Sequence, residues 1–267
     1  AAIELAAAAG DPALELRARN NYASVIFTDD TPRAVAVVDE AYELATRLGV
    51  HQMAQWLIGT LTYGTMFVAG DWDAALARLD TELDRTRSDA DRTRLLSTRA
   101  LFFAWRGGPD PVYGEELRAL EQVRAFPDPD ADAWAITVPA NIELVQGRPE
   151  MAIDVFRRGI TLHSQNKAEA RFKLALAAHW MRDAVAAQEA YAEARQEEFA
   201  GGYTEGIEYM AQAGTAALDG RRPEAVEAFR RSVSAFEGAG VAFYAALGRL
   251  DALMLLPDEP SFEGWAD

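Results

Sequence analysis

The chain has 267 residues, half of them apolar, with 42 acidic against 26 basic side chains and a formal net charge of −16. That length can bury a sizeable core, and the dispersed negative charge repels a phosphate backbone, which argues against nucleic-acid binding. No cysteine is present, so disulfides, thiolate metal sites and cysteine nucleophiles are excluded.

The opening AAIELAAAAG is too short to span a bilayer, contains a glutamate and has no basic flank, so neither a signal peptide nor a membrane helix is expected. The reading is a soluble, cytoplasmic chain. Ala1 to Ala9 reads as the tail of a preceding helix. Helical hairpins follow at about Ala13 to Leu48, His51 to Arg87, Asp91 to Ala125, Asp130 to His163, Lys167 to Glu198 and Tyr203 to Phe236. A last helix over 241–256 has no partner and stops at Pro257 and Pro260.

The hairpins rest on a repeated corner. FVAGDWDAAL from Phe67, LVQGRPEMAI from Leu144 and ALDGRRPEAV from Ala217 each end an apolar helix on glycine, turn a short polar corner and restart on alanine plus an aliphatic residue. Gly70, Gly147 and Gly220 are expected in the left-handed conformation of a helix C-terminus, and Pro149 and Pro223 at a helix start. With Ala75 as phase marker, equivalent positions fall at Ala34, Glu116, Ala152, Ala187 and Ala225, a period of about 38 residues. Apolar spacing in the second helices is helical, as in Val226, Phe229, Val233 and Phe236. One hairpin cannot bury both its faces, whereas stacked hairpins can, so an all-α solenoid is expected, one unit over 1–267.

Gly147, Ala152, Phe156 and Gly159, and Gly220, Ala225, Phe229 and Ser232, set the frame of a known family: this pattern resembles the tetratricopeptide (TPR) repeat. Glu82 and Glu116 depart from it, standing where small residues are usual. The long, degenerate units resemble the TPR-like regions of large bacterial signalling proteins, namely MalT-like transcription regulators and class III adenylate cyclases with an ATPase module. GDPALELRARNNYA with DDTPRAVAVVDEAYELATRLG, and FEGAGVAFYAALGRLDALMLLPDEP, carry that likeness. The resemblance implies a right-handed superhelix of antiparallel hairpins and a fragment of a longer protein.

In TPR-like stacks the first helices line the concave face. Carrying the phase across gives Leu16, Arg19, Leu57, Thr60, Gly64, Phe67, Trp105, Trp134, Thr137, Asn141, Phe172, Leu176, His179 and Ile207. From these, Arg19, Thr60, Phe67, Trp105, Trp134, Asn141, Phe172 and His179 are the candidate groove residues. The set is apolar and aromatic, unlike the Lys, Arg and Asn donors needed to desolvate a peptide carboxylate. It suits an amphipathic segment of another protein or of the same parent chain. Trp105 and Trp134 also read as plain interhelix packing.

His51, His163 and His179 are widely separated and suggest no metal site. His179, at a helix end, is expected to face the helix dipole or solvent. Adjacent acids such as Glu115 with Glu116 diverge on a helix and read as solvated surface. There is no GxSxG, GxxxxGK[ST], GxGxxG or HExxH, so the chain reads as a non-enzyme without cofactor. Two functions remain: a protein-interaction scaffold, or, as the MalT-like resemblance implies, a sensor of a small effector, with Trp105, Trp134 and Phe172 as flat surfaces. An apolar terminal face could also pair with another copy.

Overall fold

A computed structural model describes residues 2–106, 138–161, 167–195 and 201–265. Glu116, Trp134, Thr137 and His163 lie outside the described residues. Within these residues the protein is all-α: α1 Ala2–Ala8, α2 Pro12–Ile26, α3 Thr31–Arg47, α4 His51–Phe67, α5 Trp72–Arg85, α6 Asp89–Arg106, α7 over 138–145, α8 Pro149–Thr161, α9 Lys167–Trp180, α10 Ala184–Ala194, α11 Gly202–Leu218, α12 Arg222–Gly238 and α13 Ala242–Leu255. A short 3-10 turn, Pro260–Phe262, follows.

The corners share one backbone solution. The residue two beyond the last helical position turns left-handed, as at Gly147 and Gly220, both at φ 76°. The next amide then reaches back five residues, Arg148 N to Glu143 O at 2.9 Å and Arg221 N to Ala216 O at 2.8 Å. This closes the orphan carbonyls of the last turn. At the α4–α5 corner the sequence expectation fails by one position: Ala69, not Gly70, takes the left-handed site, at φ 51°. The reason is length, since α4 ends at Phe67 and puts Ala69 second beyond its end. Arg182 does the same after α9 at φ 54°. Each such residue costs about 1 kcal/mol of backbone strain, which the fixed corner overrides. Restarting is set by aspartate: Asp11, Asp71 and Asp183 accept hydrogen bonds from amides in the first turns of α2, α5 and α10.

Chain neighbours pack on one another through the described residues, and α4 also packs on α6 and α9 on α11. Glu82 stands where the sequence reading expects a small residue. It is 2% exposed and accepts the Tyr42 hydroxyl hydrogen bond at 3.0 Å and one from Arg85 at 2.9 Å. The carboxylate thus ties α5 to α3, while Arg78 lies over the Tyr42 ring and pairs with Asp39 and Glu43. Burial together with the Glu82 hydrogen bond raises the Tyr42 pKa.

Two ends of the chain also meet. The α2–α3 corner is bonded to the C-terminal helices, with Thr31 N donating to Ala239 O at 3.0 Å and Tyr203 N to Thr28 O at 3.0 Å. Gly240, at φ 71°, lies so close to Pro32 that a Cβ there would stand 2.4 Å from its ring. Helix α13 packs on α4, α9, α11 and α12. It therefore sits between the first and later units instead of hanging free at the end of the row.

Candidate functional site

Helix α9 is the innermost element: from Ala170 through His179 every residue is buried. A helix buried all round has no polar face to spare, yet this one carries Arg171, Lys173 and His179, 8%, 0% and 1% exposed. Lys173 is enclosed by aromatic rings. Its Nζ lies 3.9 Å from the Trp105 ring centroid and 5.0 Å from that of Tyr244, with Phe172 and Phe243 at 5.9 and 6.0 Å. A desolvated ammonium over a tryptophan face contributes on the order of 2 kcal/mol.

Tyr244, at the start of α13, is the hub of the cluster. Its ring centroid lies 4.4 Å from Phe172, 4.7 Å from Phe67, 5.6 Å from Tyr203 and 6.0 Å from Phe236. Beside it Phe243 meets Trp105 at 5.3 Å and Trp72 at 5.7 Å. Edge and offset contacts of this kind add about 0.5–1.5 kcal/mol each beyond burial.

Three of the eight candidate groove residues, Phe67, Trp105 and Phe172, therefore converge, and their neighbours are Tyr203, Phe243 and Tyr244 of the same chain. Asn141 is buried on α7 at 4% exposure. Arg19 stands apart on α2, bonded to Glu15 and Glu40. Thr60 is exposed on α4, its hydroxyl donating to Trp56 O at 3.3 Å. Trp134 lies outside the described residues. His179 corrects its sequence reading: it meets neither solvent nor dipole alone, because α13 covers the end of α9 and brings Asp251 Oδ2 to 2.5 Å from its Nδ1.

Trp56, Thr60, Tyr63 and Phe67 recur at one face of α4. Along it, exposure changes from end to end. Phe67 is 1% exposed and covered by Tyr203 and Tyr244, whereas Trp56 is 42% exposed, with the Arg94 guanidinium stacked 4.5 Å from its ring centroid.

Sequence reasoning missed Lys173, Tyr203, Phe243, Tyr244, Asp251 and Trp56. The signal was there for one of them: Asp251 is a lone acid in the apolar run AFYAALGRLDALML. Among the described residues no group of three or more His, Asp or Glu could hold a metal ion, and no helix is long and apolar enough to cross a membrane. No protein-family model matches the chain, and no curated protein matches it significantly.

Proposed function

We propose that this chain is a cytoplasmic TPR-like module, a right-handed solenoid of antiparallel hairpins, that captures a protein segment and catalyses no reaction. The observation that carries this reading is the split face of α4. Its Phe67 end is filled by the chain's own aromatic residues, while its Trp56 end presents an exposed indole with a stacked guanidinium beside the exposed Thr60. Tryptophan and arginine together are the side chains that anchor partner segments most strongly. An amphipathic segment with one apolar anchor, from another protein or from another part of the same parent, fits this surface. The resemblance to MalT-like regulators and class III cyclases supports placing the module in a bacterial signalling protein.

Peptide display against the immobilised protein tests this. A recurring apolar-anchored sequence should be selected, and Trp56→Ala should weaken its binding by about 10-fold or more, the loss of one anchor, with the far-ultraviolet circular dichroism unchanged. Failure to select any consensus, or undiminished binding by Trp56→Ala, overturns the assignment.

One observation favours the sensor reading as a second possibility: the aromatic ring around Lys173. On that reading a metabolite raises the melting temperature through linkage, and Trp105→Ala abolishes the rise.

A further inference from the structure

Helix α13 lies against α9 in strict register. The Phe172 and Tyr244 ring centroids are 4.4 Å apart, His179 Nδ1 lies 2.5 Å from Asp251 Oδ2, and Arg182 Nη2 donates to Met254 O at 2.9 Å. Each pair is 72 residues apart in the chain. A constant offset means that the two segments run parallel. One face of α13 is thus read at an aromatic residue, at an acid two turns further on and at a carbonyl of its last turn. The side that reads it supplies Lys173, His179 and Arg182, three basic side chains in a chain of net charge −16. The fit is incomplete: His179 Nε2 and Asp251 Oδ1 are buried without a hydrogen bond, each at a desolvation cost that contact with water relieves. The bonds that join the chain ends, Thr31 N to Ala239 O and Tyr203 N to Thr28 O, are made by residues that precede α13, so undocking this helix leaves them in place.

We propose that α13 is a resident occupant of this seat, displaced by a helical segment of another protein that presents an aromatic residue and, two turns later, an acid. This second seat, which rests on the reading of the chain as a segment-binding module, stays masked until α13 leaves. What α13 itself shows in place defines the incoming chemistry. Its aromatic residue enters among Phe67, Phe172 and Lys173, its acid meets His179, and its C-terminal carbonyls meet Arg182, the end of a helix where a cation is favoured. An acidic, aromatic helix matches these basic groups in charge, and a basic one does not. Occupancy by α13 lowers the apparent affinity for the partner by the fraction of molecules whose seat is open.

Fluorescence anisotropy of a labelled peptide of residues 240–258, titrated with the full chain to about 100 µM, a range that reads micromolar affinities, tests the proposal. Tyr244→Ala removes the resident ring and leaves the side chains of the seat intact. The chain carrying it should bind the peptide about 10-fold or more tighter than the native chain, because its own helix competes less. Phe243→Ala, at a half-buried site, should act in the same direction and serves where Tyr244→Ala lowers the melting temperature too far. The acid is then read between molecules. A peptide with Asp251→Leu should bind the Tyr244→Ala chain about 10-fold more weakly, and adding His179→Leu to that chain should restore binding, as an interacting pair requires. Equal binding by native and variant chains, no binding by any of them, or a peptide indifferent to Asp251→Leu overturns the proposal. The Trp56→Ala result, read at the exposed end of α4, is independent of all three.

Discussion

His179 on α9 and Asp251 on α13 lie 2.5 Å apart, Nδ1 to Oδ2, with both side chains buried. The second polar atom of each, Nε2 and Oδ1, is also buried and makes no hydrogen bond. The pair is therefore held by one contact and by packing. Removing one partner strands the other: Asp251→Leu and His179→Leu are each expected to cost about 3–5 kcal/mol, whereas the double replacement by leucine costs much less than the two single changes together. Urea unfolding of the four proteins measures this; additive losses would mean that the two residues do not act as a pair.

Gly214 on α11 makes room for that imidazole. A Cβ at this position would stand 2.0 Å from His179 Nε2, nearer than any side chain tolerates. Gly214→Ala should destabilise by about 1–3 kcal/mol through overpacking. In a His179→Ala background the clash is gone, and the same change should be neutral or stabilise by up to about 1 kcal/mol, since alanine favours helix over glycine. The sign reversal is the readout, by denaturant midpoint.

Tyr42 supplies a pH dependence. Burial, joined by the hydrogen bond to Glu82 and its charge, raises its pKa in the folded protein. A raised folded pKa favours the protonated phenol, so its contribution is fully present below the unfolded value of about 10. It is lost as pH climbs through the higher folded value. The urea midpoint of the native protein should fall more steeply between pH 9 and 11, the range around that value, than that of Tyr42→Phe. Parallel curves would remove Tyr42 as a cause.

The junction between chain ends is open to a similar test. Gly240 is left-handed and in van der Waals contact range of Pro32, so Gly240→Ala adds both backbone strain and a clash. A loss of about 1–3 kcal/mol is expected, with faster hydrogen exchange at the amides of Thr31 and Tyr203. If those amides stay as protected as before, the junction has absorbed the methyl group elsewhere.

Helix positions were readable from the sequence because apolar spacing, prolines at helix starts and glycine corners all act locally. The all-α class followed from them directly. What escaped was whatever depends on contacts between helices remote in sequence. No local signal says that Thr28 will meet Tyr203 or that α13 will lie against α4, and α13 accordingly read as a helix without a partner. The same gap accounts for His179, whose neighbour Asp251 is remote in sequence, and for Glu82, whose hydrogen-bond donor Tyr42 lies 40 residues away. Ala69 and Arg182 show a smaller gap: the corner geometry imposes a left-handed residue even where the sequence offers no glycine.

The hydrogen bond from Thr31 to Ala239 changes how the chain must fold and fall apart. Rows of helical repeats with contacts only between neighbours can nucleate anywhere and fray from either end. Here the early helices are complete only when the last ones have been made, which lengthens the average loop that folding must close and slows it accordingly. Loss of either end would then open the aromatic centre as well, and a single cooperative unfolding transition, without stepwise loss of helix pairs, is the expected outcome.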